Sequence, residues 1–229
     1  MSTETDLDDF LQKWRAAWPE WPLAQVFMPV SQRAAAEAWL ALLQEWVEAA
    51  WGGEDPTPGF AKLAWWSEEL RGWGKGLRRH PLGRVLQRMP APWAETADAL
   101  GLLQAVREDV RSGRFADAGE RLMPFVVAVA ACEAALFGPA DGGGDLPGQA
   151  LAPVALHLLW QPAGDDVQAL AQSRRALLKA WPLRSGSSRA SRIHAALLRD
   201  RLRAVATGRP HAPLPPWRVL WLAWRAARG

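Results

Sequence analysis

Residues 28–51, MPVSQRAAAEAWLALLQEWVEAAW, place Glu45 and Glu48 three positions apart near the end of a helical stretch. At that spacing two carboxylates can share a helix face, where their hard oxygens could hold Mg²⁺ against a phosphate. The plainer alternative is the solvated edge of a core helix, and Glu45 in particular is expected to be such an edge residue. A third carboxylate, Glu133, lies in the apolar run FVVAVAACEAALFG beside Cys132, the one cysteine. Burying it unpaired would be costly, so it is expected either to face an arginine or to line a cavity. Cys132 reads as a small buried thiol, because no histidine is arranged to activate it. His80, His157, His194 and His211 are scattered without metal-ligand spacing. The DGGGD stretch lacks the preceding strand of a phosphate-binding loop, and no Ser-His-Asp pattern is legible.

The elements that must position these groups are bounded by composition. The chain has 229 residues, 49% of them hydrophobic, which fits a single domain with a real core. No apolar run approaches the roughly 18 residues of a membrane span. The first residues, MSTETDLDDFLQKW, lack the order of a signal peptide, and a lone cysteine fits a reducing compartment. The expectation is a cytoplasmic protein, with peripheral contact at the inner face of the membrane as an open addition. Fifteen Trp with no Tyr is a bias that a GC-rich genome would produce, and it is not read as a binding signature. Charge is uneven: residues 1–69 carry 12 acids and 4 bases, whereas residues 170–229 carry 1 acid and 13 bases. That basic third could meet phosphates of a ligand, a nucleic acid or a membrane, or the acidic third of its own molecule.

Periodicity is helical nearly throughout, with no strand candidate and no internal repeat. Helices are expected over about 5–18, from about 31 with Ser31 as cap, and over about 59–75, 81–89, 93–112, 116–137, 150–161, 165–180, 188–207 and 215–228. Trp39, Leu43, Trp46 and Ala50 form one apolar stripe, and Leu40, Leu43, Val47 and Trp51 a second. The polar remainder is the narrow edge Glu37, Gln44, Glu45 and Glu48, so this helix is expected to lie centrally. The fold class is all-α, a single-domain helical bundle over 1–229, with about 1–20 an N-terminal helix and linker and about 208–229 a closing helix.

The segment FAKLAWWSEELRGWGKGLRRHPL, residues 60–82, resembles the squalene/phytoene synthase family in its Trp-Trp pair, acidic-acidic-Leu, Gly-rich helix end and His-Pro. Met28-Pro29 followed by Gln32-Arg33 resembles the opening of that family's first catalytic helix, and LAWRAAR resembles its closing helix. The resemblance covers about 20–225 and implies an isoprenoid-synthase type of bundle. It also implies two aspartate-rich motifs on facing helices that hold Mg²⁺ on a prenyl diphosphate. Counted without gaps from Met28-Pro29, the first motif falls on Val47, Glu48 and Trp51, with its preceding arginine on Gln44. The second falls on LHLLWQPAGDD, with Leu158, Gln161, Pro162 and Asp166 at its asparagine, arginine and two aspartates.

One carboxylate per motif survives, so the resemblance implies a cavity without its metal grip. Arg33, Gln44, Val47, Glu48, Trp51, Leu158, Gln161 and Asp166 are the cavity-lining candidates, and Glu48 and Asp166 the vestigial metal ligands. No cofactor is expected, save Mg²⁺ if the site survives. Arg33 would help hold phosphate in a functional role and pair near the helix start in a structural one, the structural role being preferred. The function expected is a non-catalytic relative that binds a prenyl or other lipid, or serves as an assembly factor for a protein partner. The family includes such a member, a mitochondrial respiratory complex I assembly factor. An active Mg²⁺-dependent prenyl transferase is the alternative. A nucleic-acid-binding module is a further one, disfavoured because no reading motif accompanies the arginines. In the closing helix, Trp217, Leu220, Trp221 and Trp224 share a face flanked by Arg218, Arg225 and Arg228. That composition suits either an interfacial membrane helix or a helix docked on the bundle.

Overall fold

A computed structural model of the chain describes residues 2–138, 146–162, 167–183, 185–209 and 212–228. The fold is all-α, with no strand among the described residues. In chain order the helices are α1 (Ser2–Ala17), α2 (Trp21–Ala24), a 3-10 turn (Gln25–Phe27), α3 (Val30–Trp51), α4 (Thr57–Trp73) and α5 (Gly83–Leu86). Then come α6 (Trp93–Ala99), α7 (Gly101–Ala105), α8 (Arg107–Arg111), α9 (Phe115–Arg121) and α10 (Met123–Phe137). The last four are α11 (Leu146–Trp160), α12 (Val167–Ala180), α13 (Arg189–Ala206) and α14 (Pro216–Ala227).

Two apolar stripes make α3 the central helix. Trp39, Trp46 and Trp51 are fully buried, and α1, α4, α10 and α11 all pack on it. Each such indole buries on the order of 150–250 Å², which fixes the rotation of α3 and so the direction of its polar edge. Gly59 permits the approach of α4: a Cβ there would stand 1.9 Å from the carbonyl oxygen of Ala49. α3 begins at Val30, one residue earlier than expected, and Ser31 makes no cap. Pro29 has extended ψ and its carbonyl accepts from the Gln32 N–H at 3.0 Å, since the ring fixes φ and needs no donor at a helix start.

Glu45 is likewise a correction. It is buried rather than solvated and forms an ion pair with Lys62 of α4, because α4 crosses the edge the sequence leaves polar.

Two long helices expected from periodicity are broken. The 93–112 stretch is α6, α7 and α8, turning at Leu100 and at Val106 (φ −99°, ψ 3°). The second break delivers Arg107 to the end of α3, where its guanidinium donates to Ala50 O and Gly53 O at 2.7 Å each. A cation on unpaired terminal carbonyls is stabilised there. The 116–137 stretch divides at Leu122, just ahead of Pro124 in the first turn of α10, where proline cannot continue the preceding helix.

In the 60–82 segment, Trp66, Leu70 and Trp73 are buried as their stripe requires. Glu69 organises the turn beyond it, accepting from Trp73 Nε1 at 2.9 Å, Arg79 N–H at 2.7 Å and His80 N–H at 2.8 Å. Burial pushes its carboxyl up, but these donors and the Arg79 guanidinium outweigh that and hold it below the usual range.

Candidate functional site

A cleft of about 760 Å³ opens where the end of α3 faces α1 and the end of α11. Val47, Trp51, Leu156 and Trp160 form its apolar wall, and Lys13, Gln44, Glu48, Glu54, Arg111 and Gln161 its polar lining. α11 stops at Trp160 because Pro162 disfavours helical backbone in the residue before it.

The polar side is a connected chain. Trp18 Nε1 donates to Gln44 Oε1 at 2.9 Å, Gln44 Nε2 donates to Glu48 Oε1 at 2.8 Å, and Lys13 Nζ donates to Glu48 Oε2 at 2.9 Å. The hydrogen bond it donates to Glu48 raises the Lys13 pKa above its ordinary value, so the ammonium stays charged. On the wall, Trp51 Nε1 is anchored to Leu103 O at 2.7 Å. The His157 ring meets the Trp51 ring edge-on at 5.8 Å. Burial first, then Arg107 and Arg111, hold the His157 pKa down to about 4.

Of the residues expected from sequence, Gln44, Val47, Glu48, Trp51 and Gln161 come together in this cleft, with Pro162 beside them. Two do not line it. Arg33 turns back on its own turn, its guanidinium donating to Met28 O and Val26 O at 3.3 Å, a structural role. Leu158 is buried, its carbonyl accepting from Arg174 Nε at 3.0 Å; the helix turns it into the core. Asp166, like Asp165, lies outside the described residues. Lys13, Arg111 and Leu156 also belong to the cleft; Lys13 and Arg111 come from segments with no motif, and Leu156 opens the stretch laid under the second motif without falling on one of its named positions.

Mg²⁺ does not fit the described lining. Only Glu48 and Glu54 offer carboxylates there, Lys13 and Arg111 match them in charge, and Lys13 already occupies one oxygen of Glu48. A dication needs a surplus of hard anionic ligands. Among the described residues no three His, Cys, Asp or Glu side chains converge.

Behind the cleft, sharing Val47 and Leu156 with it, is a smaller apolar cavity of about 80 Å³. Glu133, Gln149, Ser185, Ser191 and His194 give it polar points. Glu133 lines this cavity and accepts from Trp39 Nε1 at 2.9 Å, Ser187 Oγ at 2.6 Å and Ser191 Oγ at 2.7 Å. Gly186 makes that serine loop possible: its φ of +127° is left-handed, and a Cβ would stand 2.5 Å from Arg192 N. Gln149 Nε2, Ser185 Oγ and His194 Nε2 are buried without a hydrogen-bond partner. Burying polar atoms unsatisfied is costly, and all three belong to residues lining this void. Cys132 is buried nearby against Thr96 Oγ1 at 3.0 Å. Burial foremost pushes its thiol up to about 12, which keeps it in the thiol form at neutral pH.

His194 gives the site a pH signature. Burial first, then the Arg201 cation, hold its pKa down to about 3, against an ordinary 6.5. Below pH 6.5 the unfolded chain takes up this proton and the folded one does not. The contribution is therefore complete above 6.5 and lost as pH falls towards 3. Urea midpoints measured from pH 8 to 5 are expected to fall faster for the native chain than for His194→Gln. The difference should reach up to about 1.4 kcal/mol per pH unit, and parallel curves would contradict it.

No protein-family model matches this chain, and neither does any curated protein or solved structure.

Proposed function

We propose that the chain is a non-catalytic binding protein of squalene/phytoene-synthase likeness that takes a prenyl or similar amphiphilic lipid in the cleft between α1, α3 and α11. The observation that carries this reading is the mixed lining of the cleft. It combines the indoles Trp51 and Trp160 with two cations, Lys13 and Arg111, and the surviving carboxylate Glu48 is already tied to Lys13 and Gln44. A polar or anionic head can meet Lys13 and Arg111, and a hydrocarbon body suits Trp51 and Trp160. The volume is in the range of small-molecule sites, about 300–1,000 Å³. The cavity behind Val47 and Leu156 extends the apolar path by a few carbon atoms at most.

On this reading binding needs no Mg²⁺, and among the described residues no cluster of carboxylates is available to hold the ion that would help a diphosphate leave. Calorimetric titration of farnesyl diphosphate is expected to show binding that changes by less than about twofold when Mg²⁺ is added. Lys13→Glu is expected to weaken it by about tenfold or more. Tight binding only with Mg²⁺, or any turnover of the diphosphate, would overturn the reading. So would the absence of binding in both conditions.

A further inference from the structure

The closing helix α14 is apolar on two faces, and only one of them is used by the fold. Val219 and Ala223 are fully buried against the bundle, in contact with α13, α2 and the 3-10 turn. Trp217, Leu220, Trp221 and Trp224 lie on another side and are 66%, 39%, 46% and 42% exposed. At 100° per residue these four fall within one narrow stripe. The alternative of a helix that docks its tryptophans on the bundle is thus not what the described residues form.

Exposed apolar side chains continue on the elements α14 packs against, at Leu23 of α2 and Val26 of the 3-10 turn. Three indoles and a leucine on one outward stripe is more than scattered surface hydrophobicity.

The charge around this stripe identifies its partner. The Arg225 guanidinium lies 5.1 Å over the Trp221 ring, and that of Arg228 lies 4.4 Å over Trp224. Trp221 also edges a groove of about 260 Å³ whose charged lining is Arg192, Arg199, Arg203, Arg218, Arg225 and Asp200. Asp200 is bound by Arg218 at 2.6 Å and is the one acid in residues 170–229, which carry 13 bases. A symmetric pairing of two copies across this face would set arginines against arginines, and an aqueous surface would leave the indoles uncovered. α14 has 12 residues and is about 18 Å long, too short for a hydrocarbon core of about 30 Å. It can only lie in the plane.

We propose that α14 docks the protein on an anionic lipid bilayer, with Trp217, Leu220, Trp221 and Trp224 in the interface and the flanking arginines on the headgroups. Amphipathic indoles sit at the headgroup level, and each arginine near an anionic surface adds attraction that salt screens. The occupant of the cleft is a separate question, and the docking does not depend on it.

The test is co-sedimentation of the full chain with vesicles of phosphatidylcholine alone and with roughly a third phosphatidylglycerol. Pelleting with the anionic vesicles is expected to exceed that with the neutral ones by at least about tenfold and to weaken as salt is added. The triple change Trp217→Asp, Trp221→Asp and Trp224→Asp alters only exposed positions and should leave the helical circular dichroism intact while removing binding. Arg225→Glu with Arg228→Glu should lower binding by about tenfold and flatten its salt dependence, and serves independently if the triple variant fails to fold. Equal recovery in the supernatant with both vesicles would overturn the proposal. So would vesicle binding that both variants retain, or a dimer that the Trp changes abolish in a chain that ignores vesicles.

Discussion

Replacing Arg201 by alanine is expected to destabilise the fold by about 3–5 kcal/mol, read as a fall in the urea midpoint at unchanged slope. Arg201 and Glu20 are both almost wholly buried, with Nη1 and Oε2 at 3.6 Å. Arg201 Nη1 also donates to Ala17 O at 2.7 Å, and the guanidinium lies 4.8 Å over Trp18 and 5.3 Å over Trp160. Glu20 Oε1 in turn accepts from the Leu214 N–H at 3.0 Å. One pair thus joins the end of α1 to α13 and to the segment leading into α14.

Burial pulls the Arg201 pKa down and Glu20 pulls it back up. The pair is therefore not a strong net source of stability as it stands. Breaking it is another matter, because truncation strands the Glu20 carboxylate in the core. The double change Glu20→Gln with Arg201→Met should recover most of the loss. Arg71→Ala, which removes an exposed partner of Asp98, should cost less than about 1 kcal/mol. A loss below about 1 kcal/mol for Arg201→Ala would mean that water reaches Glu20 once the guanidinium is gone.

That ion pair also shows where sequence reading ends. The central place of α3 is legible because Trp39, Leu43, Trp46 and Ala50 repeat at helical spacing, and periodicity reports burial directly. The stop of α11 is legible because proline acts on its immediate neighbour at Pro162. The break at Val106 is not, since it is decided by what the Arg107 side chain reaches, whereas the one at Leu122 falls just ahead of Pro124. Arg107 capping the far end of α3 is a contact across 57 residues. Glu45 departs from the solvated place expected of it for a related reason, its burial being set by Lys62 and the crossing of α4.

The cleft divides in the same way. Gln44, Val47, Glu48 and Trp51 meet because one helix carries them, and that much follows from spacing. Lys13 and Arg111 enter it from α1 and α8, for which no local pattern gives a register. The outward turn of the tryptophans on α14 was undecidable in sequence because both of its faces are apolar.

Glu133 carries the other large effect. Its donors Trp39 Nε1, Ser187 Oγ and Ser191 Oγ are neutral, an indole N–H and two hydroxyls, and each of them is itself buried or half-buried. Glu133→Ala would leave Trp39 Nε1, Ser187 Oγ and Ser191 Oγ facing a new void, at about 1–3 kcal/mol for a stranded buried polar group. The cavity adds to this, and the total expected is about 3–5 kcal/mol by urea unfolding. Glu133→Gln should cost less than about 1 kcal/mol. Its carbonyl can accept from the Trp39 indole, and its amide can donate to hydroxyls that rotate to accept. The pair of variants separates shape from charge. If Gln unfolds the chain as readily as Ala, the negative charge itself holds the serine loop, and the neutral-donor account of this site is wrong. If Gln is tolerated but alters ligand binding in the adjoining cleft, the carboxylate acts on the ligand through the cavity that Val47 and Leu156 share with it. Tolerance of Gln with binding unchanged would confine Glu133 to positioning Ser187 and Ser191 ahead of α13.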